Sequence, residues 1–225
     1  MLREGGNAFD AIIAAHFTAC VAEPVLASPA GGGFLLAQPA NGHPRVYDFF
    51  THTPKVKRPA SELDFYPITA DFGNAQQEFH IGLGAVAVPG SVRGLFQAQR
   101  ELGCLPMTRV MQPAIAAARE GVRVNRAQSL IFDIVQPIYQ VSPEVGKVFN
   151  SQEKPGKLLR PGEVLYQREL SDTLEALARD GDALFYEGEI ARSCLDLLKD
   201  GGYLTAKDLA DYRPIVRKPL TLKYA

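Results

Sequence analysis

Apolar residues fall at helical spacing early in the chain: Phe9, Ile12, Ile13, His16, Phe17 and Cys20 recur at i, i+3, i+4 and i+7. The spacing predicts a helix that opens at Gly5-Gly6-Asn7 and runs to Glu23-Pro24, where Pro24 and Pro29 stop it. His16 lies on that apolar stripe, the place of a hydrogen-bonded core histidine rather than a catalytic one. Beyond a loop of small residues, Ser28 to Phe34, the pattern shortens to that of strands. Residues 34–38 and 45–50 read as two strands joined by a turn at Asn41-Gly42. Residues 51–81 show neither period and are rich in Pro, Gly and Asn, so a long loop with one short element is expected there. Residues 85–88 read as a short buried strand ended by Pro89-Gly90, with Ser91 as the N-cap of a helix that buries Val92, Leu95, Phe96 and Leu102. A further helix reaches Glu120, is interrupted by Pro113 and is closed by Gly121.

The second half reads as mainly helical. Asp172 and Glu175 are spaced as a capping box around Leu174, Leu177 and Ala178. Ile190, Cys194, Leu195 and Leu198 line the next helix, which Gly201-Gly202 ends. Thr205 with Asp208 caps a short one, and residues 215–224 read as an extended strand. No repeat, low-complexity tract or charged linker divides the chain, so a single domain over 1–225 is expected.

Composition narrows the function classes. The 225 residues are 46% hydrophobic and 22% charged, ordinary for a globular protein that buries a core. A net charge of -1 with interspersed signs excludes a nucleic-acid footprint. The short cluster Lys55, Lys57 and Arg58 reads as a solvated loop. The three cysteines (Cys20, Cys104, Cys194) and four histidines (His16, His43, His52, His80) have no metal-ligand spacing, so neither a metal nor a cofactor is expected. Cys20 and Cys194 fall on apolar stripes as core residues. The apolar run at 12–22 is shorter than the ~20 residues that span a bilayer. Its flank, Arg3 against Glu4 and Asp10, lacks the basic charge of an export signal. No membrane partner is expected, and a cytoplasmic address is favoured over a periplasmic one.

Six segments, in order, are similar to the γ-glutamyltransferase family of N-terminal-nucleophile (Ntn) hydrolases. They are Gly5 to Ala11 with the loop Gly31-Gly32-Gly33; Val46-Tyr47-Asp48-Phe49-Phe50; Gly84 to Leu95; Leu105-Pro106 with Pro113-Ala114-Ile115-Ala116 and Glu120-Gly121; Leu174 through Phe185-Tyr186-Glu187-Gly188; and Gly201 to Leu209. The resemblance implies an α/β fold, part of an αββα sandwich, of which the chain would supply the helix-rich large-subunit portion, truncated at both ends. It implies acyl transfer or hydrolysis of γ-glutamyl amides such as glutathione. The nucleophile would be a threonine that autocleavage exposes, its own α-amine acting as base. That threonine is expected beyond Ala225, on a C-terminal small subunit that would be this chain's partner. The isolated chain is therefore expected to be inactive and to need that partner for stability, since a sheet edge and an apolar face would lie uncovered.

One departure from the family pattern bears on substrate. The family's Asp-x-Arg-Glu-x-Ala-Pro stands here as Asp48-Phe49-Phe50-Thr51-His52-Thr53-Pro54, with Phe50 in the place of an arginine that pairs with the substrate's α-carboxylate. A phenylalanine offers no bidentate cation. An acyl group less anionic than glutamate follows if Phe50 lines the pocket, as in a cephalosporin acylase-like enzyme. A core position for Phe50 is the other reading, and a non-catalytic remnant of the fold is a third possibility for the chain. Thr51 and His52 are candidates to donate a hydrogen bond in the arginine's stead. Gly32 and Gly33 are candidates to line the cleft, although close backbone packing accounts for them equally. Thr51 and Thr53 are not expected to be nucleophiles. Neither Gly31-Gly32-Gly33 nor Gly82-Leu83-Gly84 has the strand–turn–helix setting of a phosphate cradle.

Overall fold

The first helix starts where polar side chains take up its free N–H groups. The computed structural model describes residues 1–223. In it, Asn7 accepts from the N–H groups of Phe9 and Asp10 while Asp10 accepts from Asn7, and helix α1 spans Ala8–Ala22. Asp10 is fully buried and also takes the N–H groups of Cys104 and Leu105, which ties this N-terminus to the end of a later helix. Ile13, Phe17, Cys20 and Val21 face the core, but Ile12 is half exposed. His16 differs from expectation: it is half-buried, and its Nε2 has no hydrogen-bond partner among the described residues. Burial lowers its pKa below the ordinary histidine value.

The two early strands form as an antiparallel hairpin, β1 (Phe34–Ala37) and β2 (Arg45–Asp48). Ala37 pairs with Arg45, so residues 38–44 make the connection, with the expected turn at Ala40-Asn41 and a bend at Gly42. The last strand, β7 (Ile215–Arg217), pairs with the far side of β2, giving the sheet order β1-β2-β7. It covers only part of the expected 215–224 segment, and Tyr224 lies outside the described residues. Between these strands lies β3 (Tyr66–Asp71) paired with β4 (Gln76–Ile81), a hairpin where a loop was expected. Most of its side chains on both faces are exposed, so no apolar alternation announces it.

Residues 85–88 are not a strand. A 3-10 turn covers Leu83–Ala85, and Val88 makes a single bridge to His52. Helix α2 (Ser91–Leu102) begins after Gly90; Ser91 is its first residue rather than its cap, and its buried Oγ has no partner among the described residues. Pro113 splits the next helix as expected, into α3 (Met107–Val110) and α4 (Gln112–Glu120). Short strands β5 (Val122–Arg123) and β6 (Val164–Leu165) pair, and bracket α5 (Arg126–Tyr139) and α6 (Pro143–Phe149). Helix α7 (Arg168–Asp180) starts four residues ahead of Asp172, so Asp172 and Glu175 make no capping box and reach Arg119 of α4 instead. Helices α8 (Ala183–Tyr186), α9 (Glu189–Leu198) and α10 (Ala206–Asp211) follow, the last with the expected Thr205–Asp208 capping box. Cys20 is buried, Cys194 half-buried and Cys104 exposed.

The main core lies between α1, α2, α4, α7 and one face of the three-stranded sheet. Tyr47 and Phe49 point into it, and the Tyr47 hydroxyl donates to Glu101 of α2. Opposed residues of an antiparallel sheet share a face. Phe34, Asp48 and Ile215 thus form one row of the other face, and Leu36, Val46 and Arg217 the next.

Candidate functional site

The site grows from the end of β2. Past Asp48 the chain is held as a strand by Gly33, which exchanges two backbone hydrogen bonds with Phe49 at 2.9 and 3.2 Å. His52 exchanges two more with Val88, at 2.7 and 3.2 Å. The carbonyl of Gly31 accepts from the N–H groups of Gly90 and Ser91, so the start of α2 grips the glycine loop. Gly32 packs so tightly that a Cβ there would lie 2.6 Å from Thr51 N and 2.8 Å from Phe49 O. Close backbone approach is therefore the structural reason for Gly32, and Gly33 packs against the Phe49 ring. Gly32 and Gly33 thus lie beside the consecutive residues Phe50, Thr51 and His52 across the open end of the hairpin.

Alternation then sends neighbouring side chains to opposite sides. Phe49 is buried, whereas Phe50 is 55% exposed and stacks on Phe34 with ring centroids 5.7 Å apart and planes 19° from parallel. Phe50 is therefore not a core residue. Thr51, His52 and Thr53 line a cleft of about 580 Å³ with Lys55, Val88, Asp208, Asp211, Tyr212 and Arg213. A slightly larger depression of about 650 Å³, at Gln140, Ser142 and Lys147, holds none of the residues singled out from the sequence.

The acids around the cleft are already engaged. Asp208 accepts from the Thr205 N–H and hydroxyl and from Lys55 N. Its burial would raise its pKa, but these hydrogen bonds outweigh that and hold it below the carboxylate range. Lys207 and Lys55 do the same for Asp211, at 2.9 and 3.1 Å. At Asp48, partial burial would raise the pKa, and hydrogen bonds from Arg217 and Phe50 N overcome it. Acids depressed in this way are poor general bases near neutral pH. No side-chain base is hydrogen-bonded to Thr51 or Thr53 among the described residues. Burial pushes the Cys20 thiol up to about 12, which leaves it inert. No His, Cys, Asp and Glu side chains gather into a possible metal site among the described residues. None of the described helices is long and apolar enough to cross a membrane.

Four side chains at this site escaped sequence reasoning: Phe34, Arg93, Tyr186 and Tyr212. Tyr212 donates its hydroxyl to the Phe50 carbonyl at 2.8 Å from 162 positions away, a contact no local pattern reveals.

The family model described as Gamma-glutamyltranspeptidase matches residues 1–225. The chain belongs to the gamma-glutamyltranspeptidase family. It is similar to the glutathione hydrolase proenzyme of Escherichia coli, with 33% identity over all of this chain and 38% of the relative. It is also similar to the Acylase ACY 1 proenzyme of a Pseudomonas species, at 31% identity over all of this chain and 40% of the relative. Among solved structures, the gamma-glutamyltranspeptidase of Pseudomonas nitroreducens complexed with L-DON superposes with a TM-score of 0.82. It is 31% identical over 99% of this chain and 63% of that one. The chain thus spans about two-fifths of the length of these curated relatives. Membership of this family makes the fold a mixed α/β part of the Ntn-hydrolase type.

Proposed function

We propose that these residues form the large-subunit part of an acyl-amide hydrolase or transferase, as one domain, whose acyl group packs on the Phe34–Phe50 side of the sheet beside Gly32 and Gly33. The nucleophilic threonine comes from a small-subunit segment that is the chain's partner, and no cofactor takes part. Family membership and the proenzyme names of the relatives support this reading.

Within the family, one observation favours an acyl group less anionic than γ-glutamyl. The ring of Phe50, the residue that the family resemblance puts in the arginine's place, lies on the open face of the sheet. The charged pair in the two facing rows, Arg217 and Asp48, is joined at 2.7 Å and so carries no free cation. Among the described residues of those two rows, a substrate α-carboxylate has no unpaired guanidinium to meet, and desolvating it without one is costly. Thr51 and His52 follow Phe50 directly and are the candidates to donate a hydrogen bond to the acyl group in the arginine's stead; His52 is held in place by its backbone bridge to Val88. Glutathione-type γ-glutamyl amides remain the alternative substrates, on the strength of the glutathione hydrolase relatives.

The test is to read the coding DNA past Ala225 for the threonine-bearing segment and assay the product of that frame. The panel holds γ-glutamyl amides and amides of neutral aliphatic and aryl acids. Faster turnover of the neutral acyl amides supports the acylase reading, and a preference for γ-glutamyl amides overturns it. Absence of the segment from that frame and from neighbouring genes, with no hydrolysis of any amide, favours a non-catalytic remnant.

A further inference from the structure

Behind the Phe50–His52 segment stands a column of rings capped by a cation. The Arg93 guanidinium lies 4.2 Å from the centroid of the Tyr186 ring. Tyr186 stacks on Tyr212 at 5.9 Å with planes 9° apart, and Tyr212 meets the His52 ring at 4.9 Å. Arg93, Tyr186 and Tyr212 are all buried. Each end is pinned. Arg93 pairs with Asp182 at 3.4 Å and Glu187 at 3.3 Å. Tyr186 donates to the Pro89 carbonyl at 3.0 Å and accepts from Arg93 N at 3.1 Å.

The free valence of this column is the Tyr212 hydroxyl, and it is spent on Phe50 O at 2.8 Å. Regular β2 pairing has ended at Asp48, two residues earlier. The orientation of the Phe50–Thr51 peptide sets which way the Phe50 ring and the Thr51 side chain point, because turning that plane swings both. The hydroxyl sits in a fitted slot: a Cβ on Gly90 would overlap both Tyr212 Oη and Phe49 O. Burial first, and the Asp48 charge second, push the phenol up to about 12, so it remains a donor at any working pH.

We propose that Tyr212 is a positioning residue for the acyl-binding wall: it fixes the Phe50–Thr51 peptide, while the Arg93–Tyr186 stack fixes Tyr212. The inference rests on the reading of Phe50 and its neighbours as that wall. Tyr212 touches no reacting atom, and its effect passes through the Phe50 carbonyl.

Two measurements on Tyr212→Phe, which keeps the ring and loses the hydroxyl, test it separately from that reading. In the 225-residue chain, the His52 and Val88 amides, bonded across the bridge, should exchange with deuterium about five- to tenfold faster, the effect of one lost neutral hydrogen bond. Amides of α4 and α7 should not change. Tyr212→Leu should exceed this, and if it fails to fold the Phe variant alone decides. In the enzyme assembled with its threonine segment, KM for the best acyl amide should rise about five- to tenfold with kcat within about twofold. A merely structural role would lower the yield of folded enzyme and leave KM alone. Unchanged exchange at His52 and Val88 overturns the proposal, as does faster exchange with an unmoved KM. A wild-type assembly inactive on every acyl amide would sink the functional reading instead, and would show it before any variant is made.

Discussion

Phe49 and Phe50 are neighbours of identical chemistry with opposite fates, and the neighbours of each explain why. The Phe49 ring lies over Gly94 of α2, where a Cβ would overlap it. Alanine in mid-helix ordinarily gains about 1 kcal/mol over glycine. Forcing a methyl into a packed core costs about 1–3 kcal/mol or more. The overlap wins, so Gly94→Ala should destabilise the chain by about 1–2 kcal/mol in urea unfolding, and adding Phe49→Leu should restore part of the loss. A neutral or stabilising Gly94→Ala would mean that the ring shifts freely. Phe50 is exposed instead, and under the proposed function its variants should act on substrate rather than on stability. Phe50→Arg in the assembled enzyme should raise kcat/KM for γ-glutamyl amides over neutral ones by at least about tenfold, the value of a charge-assisted pair. No gain would remove this face from acyl-group recognition. The sequence carried the departure at Phe50 because a motif surrounds it. It was silent on Tyr212 because a hydrogen bond across 162 positions leaves no periodic trace.

Elements that bury one face and cap their ends locally were legible; those stabilised otherwise were not. The Thr205–Asp208 box could be read, since cap and partner lie three residues apart, whereas the sequence placed the start of α1 at Asn7 without its Asn7–Asp10 box. The same spacing misled at Asp172 and Glu175, which instead hold Arg119 across the α4–α7 contact. The β3–β4 hairpin escaped because cross-strand pairing, not a buried face, defines it. Helices α5 and α6 pack partly on a second apolar cluster around Phe132, Leu158 and Leu165, away from the first. The joint between β2 and β7 depends on ionisation. Asp48 is held below the carboxylate range by Arg217 and Phe50 N, against the opposing effect of burial. A depressed folded pKa contributes stability that is fully present above the unfolded value and is lost as pH falls through the folded one. Wild type should therefore lose more of its urea midpoint than Asp48→Asn between about pH 6 and pH 3, the span around ordinary carboxylate titration. Equal losses would mean the ion pair adds nothing at this joint.

At the scale of the whole molecule, the outward face of the three-stranded sheet is apolar and exposed. Phe34, Leu36, Phe50 and Ile215 lie exposed on that side, and Leu220 and Leu222 are exposed in the chain that follows β7. Among the described residues, β1 and β7 each pair on one side only, so both edges of the sheet are open. An apolar face bounded by open edges invites pairing with further chain. The family resemblance implies a small subunit there, and the relatives' greater length is consistent with one. The 225-residue chain alone should therefore bind an apolar dye and sediment as more than a monomer at micromolar concentration. Leu36→Lys places a charge on that face of edge strand β1 and should reduce both effects without unfolding the main core, since Leu36 is 64% exposed. Adding the threonine-bearing segment should quench the dye in wild type and bind Leu36→Lys more weakly. A wild-type chain that stays monomeric and dark with the dye would mean this face tolerates water on its own. The acyl-binding wall would then have to be complete without a partner subunit.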